Sequence, residues 1–121
     1  MSTPKRLEPG RLDWAGSASN EVAPGITARN LVGDHLSTST FELEPGAVIP
    51  RHAHPNEELG LVLRGGLRMR CGDQEFTVGA GDTFFVAPST PHDGVALDEG
   101  CTLLECYSPP RTPAPATEEP T

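Results

Sequence analysis

An antiparallel all-β sandwich or barrel is the fold class this sequence predicts, and three observations lead there. Turn-forming residues recur at intervals of about six to twelve residues, the segments between them alternate apolar and polar side chains, and those segments are too short for helices of normal length. The turn signals are Gly33-Asp34, Pro45-Gly46, Gly65-Gly66, Cys71-Gly72-Asp73, Gly79-Ala80-Gly81-Asp82, Pro88-Ser89 and Glu99-Gly100. Many short strands at even spacing close into a sandwich or barrel. A length of 121 residues fits one such domain, and no internal repeat points to a solenoid or propeller.

Taken in order along the chain, residues 1–24 mix charge, Pro and Gly without a sustained period and read as an N-terminal arm. Leu12 and Trp14 are its apolar anchors, placed to fold across the barrel or onto a second subunit. The domain itself is expected over 25–111. Leu59 to Leu63 is an apolar strand. In 67–71, Leu67, Met69 and Cys71 share one face while Arg68 and Arg70 take the solvent face. Phe76 and Val78 alternate with polar neighbours in 74–78. Near the end, Cys101, Leu103, Glu105 and Tyr107 share one face, with Thr102, Leu104 and Cys106 on the other. Residues 112–121 hold three prolines, two glutamates and no large apolar side chain, a composition predicting a disordered tail.

Composition narrows the function classes. With 9 Lys+Arg against 17 Asp+Glu the formal charge is −8, which argues against nucleic acid or an anionic membrane as partner. No apolar run is long enough to span a bilayer, and no basic-then-apolar stretch opens the chain. Three cysteines make a poor disulfide framework, so a cytoplasmic location is expected. Cys71, Cys101 and Cys106 lack a CxxC partner or a neighbouring His and are expected to pack in the core.

Three of the four histidines fall in one informative region. His52 and His54 are two apart, so on a strand both imidazoles point to one face, as two adjacent coordination positions require. Glu58 opens the next strand, where a turn through Pro55-Asn56 brings its carboxylate back to the same centre. His92 follows the Pro88–Pro91 turn and supplies a third imidazole. Three imidazoles and a carboxylate suit Zn, Ni, Fe or Mn, and Cu as well. The competing reading is two polar surface histidines on a strand. Glu57 competes with Glu58 for the carboxylate role, and spacing favours Glu58. His35 is expected to be structural or exposed.

The spacing Gly46-x5-His52-x-His54-x3-Glu58-x6-Gly65 resembles the first conserved motif of the cupin superfamily at every fixed position. Gly81-Asp82, Pro91 and His92 resemble the second motif. Ala87 and Ser89 depart from the Pro and Gly preferred there, and Ala96 replaces the usual Asn. The resemblance covers about residues 33–111. It implies a double-stranded β-helix, the jelly-roll barrel, with His52, His54, Glu58 and His92 holding a divalent transition metal. Some cupins keep the barrel without a metal, chiefly when ligands are lost.

A finer resemblance lies in Leu104-Glu105-Cys106-Tyr107-Ser108-Pro109-Pro110-Arg111 and in His54-Pro55-Asn56-Glu57-Glu58. Both are similar to the small single-domain cupins of the pectin-degradation KdgF group, although Glu58 stands where those often carry Gln. That group converts unsaturated monouronates to keto forms, and related cupins close rings in polyketide biosynthesis. The resemblance therefore implies a metal-dependent isomerase, lyase or cyclase acting on a small carboxylate, working as a homodimer, with Glu105, Tyr107 and Arg111 on the substrate side. Physics points the same way. A carboxylate on an apolar inward face is costly unless it is paired or useful, and a guanidinium clamps carboxylates through its fork. The plainer alternative pairs Glu105 with Arg111 or turns Glu105 outward. Two other functions stay open: an iron-dependent dioxygenase on the same ligands, and a non-catalytic small-molecule-binding or sensing module.

Overall fold

The structure, a computed structural model, describes residues 5–111. The tail expected over 112–121 lies outside the described residues. Nine strands and no helix are present among those described. They are β1 (Lys5–Arg6), β2 (Ser19–Ala23), β3 (Ile26–Val32), β4 (Ser37–Leu43), β5 (Val48–His52), β6 (Glu57–Cys71), β7 (Gln74–Gly79), β8 (Thr83–Val86) and β9 (His92–Ser108). The chain is an all-β jelly-roll domain. The segment expected as an arm contributes two of these strands, with β2 antiparallel and β1 parallel to β3. The carbonyl of Trp14 accepts hydrogen bonds from Ser17 and Arg29.

Two long strands organise the barrel. The early half of β6 pairs with β8 and with the late half of β9, while its late half pairs with β7 and the early half of β9. β9 adds β4 beside its late half and β5 beside its early half. Each long strand therefore belongs to two facing sheets and bends into a V between them. The bends sit at Gly65-Gly66 and Gly100, two places where the sequence predicts turns. They are corners inside continuous strands instead. Gly65 and Gly100 both have left-handed φ, +74° and +75°. A Cβ on Gly65 would lie 2.0 Å from the Gly100 carbonyl oxygen, so the two corners interlock backbone against backbone.

Alternation supplies the core. Leu67, Met69, Val78, Val62, Leu103 and Cys101 are buried between the sheets, and Phe84 and Val86 join them from β8. The β7 and late-β9 faces agree with the alternation read from the sequence, while Arg68 and Arg70 are solvent-facing and paired with Glu75 and Asp93. All three cysteines are free. Cys101 is in the core, where burial pushes its thiol up to about 11, and Cys71 packs against the core. Cys106 is half-buried on the opposite face of β9, its Sγ on Thr38 Oγ1 at 3.6 Å, and not in the core as expected.

Candidate metal centre and cavity

The V shape of the long strands brings distant residues together. Glu58, near the start of β6, lies 3.4 Å from His92, whose strand partner Cys71 is at the other end of β6. His52 is the neighbour of His92 across the β5–β9 pair. His54 follows β5 in the loop, and its backbone carbonyl is held by the Ser89 amide at 2.7 Å. Ring centroids are 4.3 Å apart for His52–His92, 4.9 Å for His54–His92 and 5.5 Å for His52–His54. One ligand nitrogen from each of the three lies within 4.8 Å of the others. His35 is exposed and stands apart from this cluster. Glu57 is exposed, whereas Glu58 is buried against the histidines, so the carboxylate that spacing favours is the one at the cluster.

The hydrogen bonds decide how these rings present themselves. Each Nδ1 faces a backbone carbonyl: His52 to Pro50 at 2.8 Å, His54 to Asn56 at 3.2 Å and His92 to Thr90 at 2.8 Å. A carbonyl only accepts, so each Nδ1 carries the proton and each Nε2 is left with its lone pair in the neutral ring. His92 Nε2 is buried with no hydrogen-bond partner. His54 Nε2 faces the Glu58 Oε1 at 3.0 Å, so with a neutral ring two electron-pair donors meet, and a cation between them, a proton or a metal ion, is called for. An orphaned buried nitrogen, three oriented rings and a buried carboxylate fit a divalent transition metal ion.

Electrostatics sorts the acidic groups. Burial would raise Glu58, but its pairing with His54, His92 and Glu105 outweighs burial and keeps Glu58 ionised. Glu105, buried on the cavity wall, is driven up by burial and then by the charge of Glu58, so it is the neutral acid of the pair. The Tyr107 hydroxyl donates to Glu105 Oε1, and burial with the two carboxyl neighbours raises Tyr107 too. Burial lowers His52, whereas the Glu58 carboxylate overcomes burial and raises His92.

The cavity beside the histidines is lined by both sheets and includes Glu105, Tyr107 and Arg111 together with His52, Glu58 and His92. Arg111 stands 5.9 Å over the Tyr107 ring. It arrives there on a strapped segment. Asn56 Nδ2 donates to the Pro109 carbonyl at 2.6 Å, and the Arg111 amide donates to Ser37 Oγ at 2.8 Å. Glu105 faces inward, its partner being Tyr107 Oη, as the alternation of β9 predicts. Sequence reasoning missed Asn30, Ser39 and Asp93 on the cavity wall and the tie through Asn56. Asn30 and Ser39 are strand partners joined by a 2.5 Å hydrogen bond, and Ser39 is in turn opposite Glu105. Polar residues at inward positions of β3 and β4 were the available signal.

A jelly roll with an inward histidine cluster beside an open cavity defines the class: a small metal-site β-barrel. The cupin domain model matches residues 39–106, more than half of the chain, and the chain belongs to the cupin family. KdgF from Halomonas sp. superposes with a TM-score of 0.73 at 25% identity, over 78% of this chain and 87% of that one. An RmlC-like cupin from Shewanella frigidimarina superposes at 0.78 with 24% identity, over 87% and 94%. Oxalate decarboxylase OxdC of Bacillus subtilis is 29% identical over 85 residues, 65% of this chain. The chain spans only 22% of that relative's length.

Proposed function

We propose that this chain is a metal-dependent cupin enzyme that isomerises, or opens or closes a ring in, a small oxygen-rich anion, uronate-like or polyketide-like, without redox change. The observation that carries the reading is the juxtaposition of a neutral buried acid, Glu105, with three imidazoles whose ring nitrogens converge within 4.8 Å. His52, His54, Glu58 and His92 would hold the ion, which as a Lewis acid polarises substrate oxygen when bound. Similarity to KdgF and to oxalate decarboxylase supports an enzyme.

The protein's own groups then carry the proton traffic. Arg111 receives a carboxylate and fixes the substrate's orientation. Glu105 delivers its proton to an enol carbon, and the carboxylate that results takes up the proton lost from the enol oxygen. One proton arrives and one leaves, so no oxidant or reductant is needed. Tyr107 holds the Glu105 carboxyl through its hydroxyl and keeps the protonated oxygen aimed at the cavity.

An unsaturated monouronate mixed with metal-loaded protein separates the two substrate classes: loss of the alkene absorbance selects the uronate version, and unchanged absorbance discards it. Similarity to oxalate decarboxylase, one structure of which is described by its Mn(II) centres, favours a redox metal as the second reading. Consumption of dioxygen with turnover would select that reading. Sedimentation giving the mass of one chain would remove the homodimer.

A further inference from the structure

Cross-strand rows of the sheet built from β3, β4, the late half of β9 and the early half of β6 change character in sequence. One row holds Ser37, Tyr107 and Glu58, and the next holds Asn30, Ser39 and Glu105. The row after that is Ala28, Phe41 and Leu103, followed by Ile26, Leu43 and Cys101. The cavity runs along all four rows, and Ile49 and Met69 of the facing sheet line the same space. Polar side chains are thus confined to the two rows nearest the histidines.

We propose, building on the metal-dependent reading above, that the substrate is an amphipathic acid whose hydrocarbon body lies against Phe41 and Ile49, with Leu103, Ile26, Leu43 and Met69 forming the apolar wall behind them. None of these side chains can donate a hydrogen bond or accept one of ordinary strength, and the backbone groups of their strands are engaged in the ladders. A body carrying several hydroxyls would lose its water partners there and find none in return. Phe41 and Ile49 are only half-buried although they point into the barrel, so their hydrocarbon is presented to the cavity rather than sealed in the core. An aromatic or alkenyl body covers it. A polyhydroxylated sugar chain does not.

Three α-hydroxy acids share one chelating head and differ only in body: glycolate has none, mandelate a phenyl ring, gluconate a polyhydroxylated chain. Calorimetry with zinc-loaded protein is expected to give mandelate binding at least about tenfold tighter than either of the others. Ile49→Thr and, independently, Phe41→Thr are expected to weaken mandelate by roughly tenfold while leaving glycolate unchanged. Gluconate matching or exceeding mandelate overturns the proposal, as does a mandelate advantage that survives both substitutions. Circular dichroism of each variant keeps a folding defect from being mistaken for a lost contact. A mandelate advantage that persists after the metal is chelated retains the hydrocarbon wall and discards the metal-dependent reading instead.

Discussion

Glu58 and Glu105 are two carboxyl groups of one cavity held in opposite protonation states. Glu58 keeps its charge because the histidines stand around it, whereas Glu105 has only hydroxyl and carboxyl hydrogen-bond partners inside the barrel. Glu105→Gln keeps the size and a donor toward Glu58, so its melting temperature is expected to stay within a few degrees of the parent. Turnover is expected to fall by about 10²–10⁴, the usual weight of one proton-transfer group; unchanged turnover removes Glu105 from the mechanism. Ser89 matters for its backbone rather than its chemistry. It has φ +61°, the one non-glycine in the left-handed region among the described residues, and it stands where the cupin motif prefers Gly. Ser89→Gly is expected to raise stability by about 0.5–1 kcal/mol in urea unfolding. A loss of stability would show that the serine side chain offsets the strain.

At the level of elements, the strand pair β5–β9 is fastened at the rim of the cavity by Asp93, which accepts hydrogen bonds from Arg70 at 2.7 and 3.1 Å and from Arg51 at 3.2 Å. Burial acts to raise the Asp93 carboxyl, but the two guanidinium groups outweigh it and hold it below the usual carboxylate range. A group with a lower pKa folded than unfolded stabilises fully above the unfolded value and loses that contribution as pH falls through the folded one. The stability gap between the parent and Asp93→Asn is therefore expected to be widest above about pH 5 and to close toward about pH 2. A pH-independent gap would show that the pair acts through shape alone. The sequence made β7 and the inward face of late β9 legible because strict alternation survives there. It hid the corners of β6 and β9, since Gly-Gly and Glu-Gly are turn dipeptides and only pairing partners far along the chain keep them in a strand. Asn30 escaped because Leu31 beside it is also buried, which blurs the period of β3.

For the whole molecule, the metal candidates were readable from spacing, although the strand expected to carry both histidines ends at His52 and it is the loop after it, held by the Ser89 amide, that turns His54 to the cluster. The strap that delivers Arg111 was not, since Asn56 and Pro109 are 53 residues apart and nothing local pairs them. If the cluster takes an ion, folding and loading are one equilibrium. Zinc at about 100 times its dissociation constant is expected to add about 2.7 kcal/mol, or roughly 10–20 °C in melting temperature for a domain of this size. Chelation should reverse the rise, and His92→Ala should abolish it. Equal melting curves with and without metal would count against the site.

The interlocked corners at Gly65 and Gly100 turn each long strand into a lever with its fulcrum far from the chemistry. From Gly100 to Tyr107 one arm runs seven residues, about 23 Å at about 3.3 Å per residue. Opening the angle between the sheets by about 5° would swing the arm's tip by about 2 Å, several times the roughly 0.2 Å that separates good metal–ligand distances from poor ones. Gly65→Ala, which drives a methyl group into the opposite corner, is thus expected to weaken metal binding although it touches no ligand. Titration of zinc into this variant, beside its unfolding curve, separates a sprung angle from an unfolded chain.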